Sequence, residues 1–215
     1  MKPLFMTYSN EAQPFLRMAQ DLCHQVDKLD AGDCYHLCIN EPGANRNWYA
    51  ECYTRFYEIF EKEIDDRPII ILDADHILCR SIIEIFESDW DVAAVYRKRC
   101  VTEFGRQDYC AGLVMFNNKR PDVVRKFYLE WLEKMKARPP VPGYCPATLK
   151  NAGWLDTWWI DQSALNDIIA PIDGEVKRGE IYVINDYKVL SLKNEGYGVN
   201  GVFVKHLKGG RKPKQ

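Results

Sequence analysis

Four consecutive aliphatic residues, Ile69 to Leu72, lead directly into an acidic pair, Asp73 and Asp75. A continuous aliphatic run of this length is typical of a strand that is buried on both faces of a sheet. In open α/β sheets, the polar residues that follow such a strand lie at the carboxyl edge, where ligands bind. The run therefore predicts a central strand over Pro68–Asp73, with two carboxylates at a ligand-binding edge.

Short β-rich runs alternate with helical patterns along the chain. This alternation predicts an α/β domain with a mostly parallel central sheet. The predicted strands are Leu4–Tyr8, Tyr35–Asn40, Pro68–Asp73, Val92–Tyr96, Ala111–Phe116 and Ile181–Ile184.

The predicted helices are marked by apolar residues at spacings of three and four. One of them carries Tyr49, Phe56 and Phe60, and another begins at Pro121 and ends before Pro139. Proline suits the first turn of a helix and terminates it elsewhere. A further helix is predicted from about residue 11 to residue 26, with Asn10 as its N-cap.

The composition excludes several classes of protein. The chain has 215 residues, 29 Lys+Arg against 31 Asp+Glu, 47% hydrophobic residues and 28% charged residues. This balance is that of a globular domain, not of a disordered or fibrous chain, and it provides no overall attraction to nucleic acid or anionic membranes. The length predicts a single domain over residues 1–215. Neither a signal peptide nor an apolar run of the ~20 residues that span a bilayer is present, so a cytoplasmic protein is predicted.

Eight cysteines occur in the sequence. A chain of this length without a secretion signal does not need disulfides, and most of the cysteines lie among apolar neighbours, as Cys38 does between Leu37 and Ile39. We therefore expect free, buried thiols. Cys34 and Cys38 are the only close pair, and without a second pair or a histidine cluster a zinc site is not favoured.

The Asp73/Asp75 pair suits a divalent cation if the chain bends between the two residues. Mg²⁺ and Mn²⁺ prefer oxygen ligands and complete their coordination with substrate phosphate. In one alternative interpretation, the pair is a polar strand end, with Asp75 capping a helix that begins near Leu78. In another, it is the nucleophile and acid of a haloacid-dehalogenase phosphatase. Those enzymes usually carry Thr or Val where Ile77 stands, and their pair lies near the start of the chain.

Five segments in a fixed order carry a family resemblance. They are Leu72–Asp75, Asp91–Val95, Cys110–Asn117, Asp161–Asn166 and His206–Pro213. Together they resemble the glycosyltransferases of the GT-A fold, and in particular the retaining family that includes glycogenin and bacterial lipopolysaccharide galactosyltransferases. The resemblance implies a Rossmann-like GT-A fold and a metal-dependent transfer of a sugar from a nucleotide diphosphate donor, with UDP as the expected nucleotide, to an acceptor hydroxyl with retention.

The resemblance also implies a set of donor-binding residues. Asp73, Asp75 and His206 would be the ligands of Mn²⁺ or Mg²⁺, and Ala74 would lie beside the donor. Thr7 and Tyr8 follow the first strand where the family binds the base, and Tyr8 is expected to stack on uracil.

The basic C-terminal segment 205–215 would close over the donor. In it, Gly209 lets the backbone approach a phosphate and Lys212 balances the diphosphate charge. The alternative for this segment is a solvated basic terminus.

On the sugar side, the resemblance implies two catalytic residues. Asp161 would hold the sugar hydroxyls, and Gln162 would stabilise positive charge at the anomeric carbon. Alternatively, Asp161 is only a favourable charge in the first turn of a helix. Cys110 departs from the family, which has Asn there, so the sugar is left open. Gly112 is expected to allow a close approach of the backbone.

The acceptor is left open by the sequence. Residues 138–157 are rich in Pro and Gly and predict a long loop on the acceptor side. A glycan, a lipopolysaccharide, a protein and a modified nucleic-acid base are all candidate acceptors. Two other functions are compatible with the same acidic pair: a metal-dependent phosphatase or nucleotide-sugar hydrolase, and a nucleotide-binding module without turnover.

Overall fold

A computed structural model of the chain describes residues 1–9, 15–39, 47–97, 101–102, 105–106, 108–138, 160–169, 176–192 and 204–206, with main chain only at 101–102, 105–106 and 205–206. The helices are α1 (Phe15–Lys28), α2 (Trp48–Glu63), α3 (Pro121–Lys136) and α4 (Ile160–Ile168), with a 3₁₀ helix at Ile83–Glu87. The strands are β1 (Leu4–Ser9), β2 (Asp33–Cys38), β3 (Ile69–Leu72), β4 (His76–Leu78), β5 (Val92–Tyr96), β6 (Val101–Thr102), β7 (Gly105–Arg106), β8 (Tyr109–Phe116), β9 (Ile181–Ile184), β10 (Tyr187–Leu192) and β11 (Val204–His206). The predicted cap Asn10, residues 139–157 of the predicted loop, and Gly209 and Lys212 lie outside the described residues.

A seven-stranded sheet in the order β2-β1-β3-β8-β5-β10-β9 forms the centre of the fold. Strand β1 pairs in parallel with β2 and β3, and β10 pairs in parallel with β5. Strand β8 is antiparallel to β3 and β5, and β9 is antiparallel to β10. Five of the seven strands therefore run in one direction, and the predicted α/β class with a mostly parallel sheet is confirmed.

Apolar layers cover both faces of this sheet. Ile69 and Ile71 belong to the layer formed with α2, α3 and α4. Ile70 and Leu72 belong to the opposite layer, which includes residues of α1 and of the 3₁₀ helix. The four aliphatic residues of β3 are all buried because alternate side chains of a strand point to opposite faces. In the described part of the chain, none of the helices combines the length and the apolar character needed to cross a bilayer.

Strand β10 was not predicted from the sequence. It forms a hairpin with β9, and the two connecting residues, Asn185 and Asp186, have positive φ angles of 49° and 70°. Two consecutive residues of this conformation form the tight turn that best matches the twist of a hairpin, and Asn and Asp tolerate it better than most residues. The Asn-Asp dipeptide was therefore the available signal for the second strand.

The ladder between β5 and β8 is interrupted close to the end of β3. Ala94 pairs with Val114, whereas the next residue, Val95, pairs with Cys110. The extra residues of β8 leave the ladder here, and such irregularities change the direction of the chain and are frequent next to functional sites. As a result, β8 passes directly beside Asp73, whose backbone N–H donates to the carbonyl oxygen of Gly112 at 3.0 Å.

The structure contradicts part of the prediction that the cysteines are free and buried. Cys52 and Cys110 are free and buried, as expected. Cys38 is exposed, because β2 is an edge strand with alternating burial. Cys23 and Cys34 form a disulfide between α1 and β2, with their Cα atoms 5.3 Å apart. The chain reverses direction directly after α1, and this brings the two cysteines within the distance that a disulfide requires.

Candidate functional site

The acidic pair lies in a tight turn between β3 and β4. The backbone N–H of His76 donates to the carbonyl oxygen of Asp73 at 3.2 Å, which closes a four-residue turn. Because β4 begins at His76, Asp75 does not cap a helix near Leu78, and that part of the alternative is wrong. The turn is the bend that two carboxylates need in order to face one cation.

His76 joins the two aspartates in a compact group. One ligand atom from each of Asp73, Asp75 and His76 lies within 4.8 Å of the other two. His76 is only 2% exposed, and its Nδ1 is 3.0 Å from the carbonyl oxygen of Asp73 and 3.4 Å from Oδ1 of Asp75. A carbonyl oxygen only accepts hydrogen bonds, so the shorter contact places a ring proton on Nδ1. Sequence reasoning missed His76, although it directly follows the acidic pair.

Gly112 of β8 is in contact with the same group. A Cβ atom at this position would lie 2.8 Å from Oδ2 of Asp73 and 3.2 Å from Cε1 of His76. Glycine therefore allows the backbone of β8, the Asp73 carboxylate and the imidazole to approach one another closely. The close approach expected at Gly112 is present, and its partner within the chain is the Asp73 carboxylate.

Tyr8 lies in the core and contacts the acidic pair. Its hydroxyl donates to Oδ1 of Asp73 at 2.6 Å, and the residue is 6% exposed. The ring is surrounded by aromatic residues of α2 at centroid distances between 5.3 and 6.1 Å: Trp48, Tyr49, Tyr53 and Phe56. This placement differs from the expected stacking on uracil, because neighbouring side chains already cover the ring.

The other residues expected at the donor offer little side-chain surface. Thr7 is fully buried in β1, and Ala74 is buried in the turn. The hydroxyl of Thr7 has no hydrogen-bond partner in the described part of the chain. A donor that approaches this edge would meet the side chains of Asp73 and Asp75 before those of Thr7 and Ala74.

Asp161 occupies the first turn of α4, close to the acidic pair. It is 4% exposed, its Oδ1 accepts from the N–H of Gln162 at 2.6 Å, and its Oδ2 is 3.5 Å from the hydroxyl of Tyr53. Burial, and next the charge of Asp73, raise the pKa of Asp161 well above its usual range. Gln162 is half-buried beside it. The fold therefore brings Asp161 into electrostatic range of a residue 88 positions earlier.

Cys110 is buried at the same edge of the sheet. Burial raises the pKa of its thiol to about 11, although the guanidinium of Arg97, which contacts the sulfur atom, lowers it. The charges of Asp73 and Asp161 raise the pKa further. The residue that departs from the family pattern is therefore a neutral thiol within range of both acids.

The C-terminal strand β11 lies against the turn. It pairs with β4 in antiparallel register, with His206 opposite His76. The backbone of the residue expected to be the third metal ligand is therefore adjacent to the strand that follows the acidic pair. The side chain of His206 lies outside the described atoms.

No family model and no curated protein sequence matches this chain. Among solved structures, it is similar to a glycosyltransferase involved in the glycosylation of the major capsid of PBCV-1, at 11% identity over 60% of this chain and 66% of that one, with a TM-score of 0.43. It is also similar to the glycosyltransferase GlyE of Streptococcus pneumoniae TIGR4, at 13% identity over 89% of this chain and 45% of that one, with a TM-score of 0.48. For the galactosyltransferase LgtC in complex with donor and acceptor sugar analogues, the identity is 13% over 99% of this chain and 89% of that one, with a TM-score of 0.46. The chain thus spans just under two thirds of the first protein and less than half of the second.

Proposed function

We propose that this protein is a glycosyltransferase that transfers a sugar from a nucleotide diphosphate donor, with UDP as the nucleotide, to an acceptor hydroxyl. One observation carries the proposal: the turn after β3 gathers Asp73, Asp75 and His76 within 4.8 Å at the carboxyl edge of the sheet. The buried carboxyl of Asp161 lies within electrostatic range of the same turn. The order of the family-like segments along the sequence supports the same activity.

The charge of the site supports a requirement for a metal. A nucleotide diphosphate is an anion, and Asp73 and Asp75 would repel it at this edge unless a cation lay between them. Asp73 and Asp75 would hold that cation, with His76 or His206 as the nitrogen ligand. Two carboxylates with an imidazole suit Mn²⁺ better than Mg²⁺, which is bound almost entirely by oxygen. A bound divalent ion supplies positive charge that stabilises a departing diphosphate.

The remaining roles belong to residues of this chain. Asp161 would accept hydrogen bonds from the sugar hydroxyls and so orient the sugar ring. Gln162 would place its side-chain oxygen near the anomeric carbon, where positive charge develops during transfer. Gly209 and Lys212 would contact the diphosphate, and the transfer would retain the anomeric configuration. The acceptor would approach from the side of residues 138–157, and we propose no narrower class for it.

A panel of UDP-, GDP- and CMP-sugars incubated with the protein and Mn²⁺ tests this function. We expect UDP and unphosphorylated sugar to be released slowly, and both products to be lost in Asp75→Asn. Asp122→Asn is the matched control, because the Asp122 side chain is 96% exposed at the start of α3. Phosphate release from simple monoesters, lost in Asp75→Asn, would instead indicate a phosphatase. Binding of a nucleotide sugar without cleavage, even with candidate acceptors present, would indicate a binding module.

A further inference from the structure

We propose that Tyr8 is a positioning residue of the metal site: its hydroxyl fixes the Asp73 carboxylate in the orientation that binds the cation. This inference rests on the proposed function, since it concerns the same site. It assigns a role to a residue whose position along β1 had indicated contact with the nucleotide base. The carboxylate and the hydroxyl belong to residues 65 positions apart, so only the fold brings them together.

The Asp73 carboxylate is fixed by a hydrogen bond at one oxygen and fits against a glycine at the other. Its Oδ1 accepts the hydrogen bond from the Tyr8 hydroxyl at 2.6 Å, a length typical of strong hydrogen bonds to an ionised acceptor. Its Oδ2 lies so close to Gly112 that a Cβ there would be only 2.8 Å away. The hydroxyl therefore restricts rotation of the carboxylate about its Cβ–Cγ bond, and the absence of a side chain at Gly112 leaves room for Oδ2 in this orientation.

The Tyr8 side chain is itself held in place by the core. Its hydroxyl therefore determines the orientation of the carboxylate and does not move with it. Its neighbours on the same strand pair on both sides, with β2 and with β3. Its ring is packed against Trp48 and Tyr49 in edge-to-face contacts at 5.3 and 5.8 Å. The Tyr8 and Asp73 side chains thus lose their conformational freedom when the core forms, not when the metal binds. Preorganisation of this kind increases affinity because binding no longer has to order the ligand.

A purely structural role for the Tyr8 hydroxyl makes a different prediction. If the hydrogen bond only satisfied a buried phenol, its removal would lower stability and leave metal affinity unchanged. Tyr128 provides the matched control, because it is fully buried in the same aromatic layer. Its hydroxyl donates to the carbonyl oxygen of Tyr53 at 3.0 Å instead of to an acid of the site.

The test is a titration of the full chain with Mn²⁺ alone, with the free ion measured by electron paramagnetic resonance. We expect Tyr8→Phe to bind Mn²⁺ about 10- to 100-fold more weakly than the wild type, the range seen when a residue that orients a metal ligand is removed. Tyr128→Phe should bind Mn²⁺ as the wild type does, although both variants lose some thermal stability in EDTA. With a cleavable donor, Tyr8→Phe should need more Mn²⁺ for half-maximal rate and recover most of kcat at saturation.

The outcomes separate this inference from the proposed function. If the wild type binds Mn²⁺ and Tyr8→Phe binds it equally well, Tyr8 has no positioning role, and the proposed function is unaffected. If the wild type itself binds no Mn²⁺, the metal site is wrong and the inference fails with it. Should Tyr8→Phe not fold, Gly112→Ala reaches the same carboxylate from its Oδ2 side without altering the aromatic layer. Unchanged Mn²⁺ affinity in Gly112→Ala would then show that a fixed carboxylate orientation is not required.

Discussion

Asp91 and Asp73 lie at opposite edges of the same sheet, and their surroundings differ. Asp91 precedes β5 at the amino edge, where Arg120 donates to both of its oxygens, one at 2.8 Å, and the N–H of Lys188 donates to Oδ2 at 2.7 Å. Asp73 follows β3 at the carboxyl edge, where it accepts from the Tyr8 hydroxyl and its charge raises the pKa of Asp161.

This difference indicates that Asp91 has a structural role, whereas the acids at the carboxyl edge are suited to bind a ligand. The charge of Asp91 is balanced by a cation of the chain, and the pair joins β5, β10 and the start of α3. At the other edge, carboxylates of like charge are held within range of one another, which costs free energy in the folded protein. A divalent ion would reduce that cost on binding. The comparison therefore predicts that changes at the carboxyl edge alter activity, whereas changes at the amino edge alter stability alone.

The largest expected effect is on activity at the carboxyl edge. Asp73→Asn should lower the rate of donor cleavage by at least about 100-fold, because a neutral amide is a much weaker ligand for the hard cation that stabilises the departing diphosphate. The measurement is UDP release at saturating Mn²⁺, with the circular dichroism spectrum as the check on folding. Activity within a few-fold of the wild type would show that Asp73 is not a ligand of the cation that supports the reaction.

A bound cation should stabilise the protein through the same edge. At 100 times its dissociation constant, Mn²⁺ should add about 2.7 kcal/mol to the free energy of unfolding, because only the folded chain forms the site. For a chain of this length, this corresponds to a rise in Tm of about 5–10 °C. Thermal melts with Mn²⁺ and with EDTA measure the shift, which should be absent in Asp75→Asn. An equal rise in both proteins would mean that the ion binds elsewhere.

At the amino edge, Arg120→Ala should destabilise the fold by about 2 kcal/mol, since it leaves a buried carboxylate without its charged donor. The specific activity of the folded protein should be unchanged. Lys136→Ala serves as the control, because Lys136 pairs with Glu133 on the surface and such pairs contribute about 0–1 kcal/mol. Urea unfolding gives the free energies. A loss of activity without a loss of stability in Arg120→Ala would contradict the structural role that we assign to the amino edge.

The smallest effect is a gain in stability from Asp161→Asn. In the unfolded chain the carboxyl titrates near pH 4, whereas in the folded protein its raised pKa keeps it protonated to higher pH. Between these two pKa values the folded state binds more protons than the unfolded state. The free energy of unfolding therefore falls as the pH rises through this window and stays low above it. The amide does not titrate, so the Tm of Asp161→Asn relative to the wild type should increase as the pH rises through the window, by about 2–4 °C for each kcal/mol that the wild type loses. Melting curves at pH 4 and pH 7.5 test this, and equal differences at both pH values would contradict it.

Local sequence patterns determined the strands and helices that depend on burial alone. The aliphatic run of β3 fits only a strand buried on both faces, and Pro121 with its apolar spacing identified α3. The candidate cation site at Asp73 and Asp75 was also predictable, because two acids one residue apart need only a local turn to face one cation. These features depend on residues that are close together in the chain.

The tertiary structure alone decided which distant residues meet that pair. Because β3 lies between β1 and β8, Tyr8 and Gly112 approach the Asp73 carboxylate from opposite sides. The packing of α4 against β8 and α3 brings Asp161 into range, and the pairing of β11 with β4 brings His206 beside the turn. The order of the strands results from the packing of the whole chain. No single segment carries it, and this is why the sequence indicated the acidic pair but not the hydroxyl that holds it.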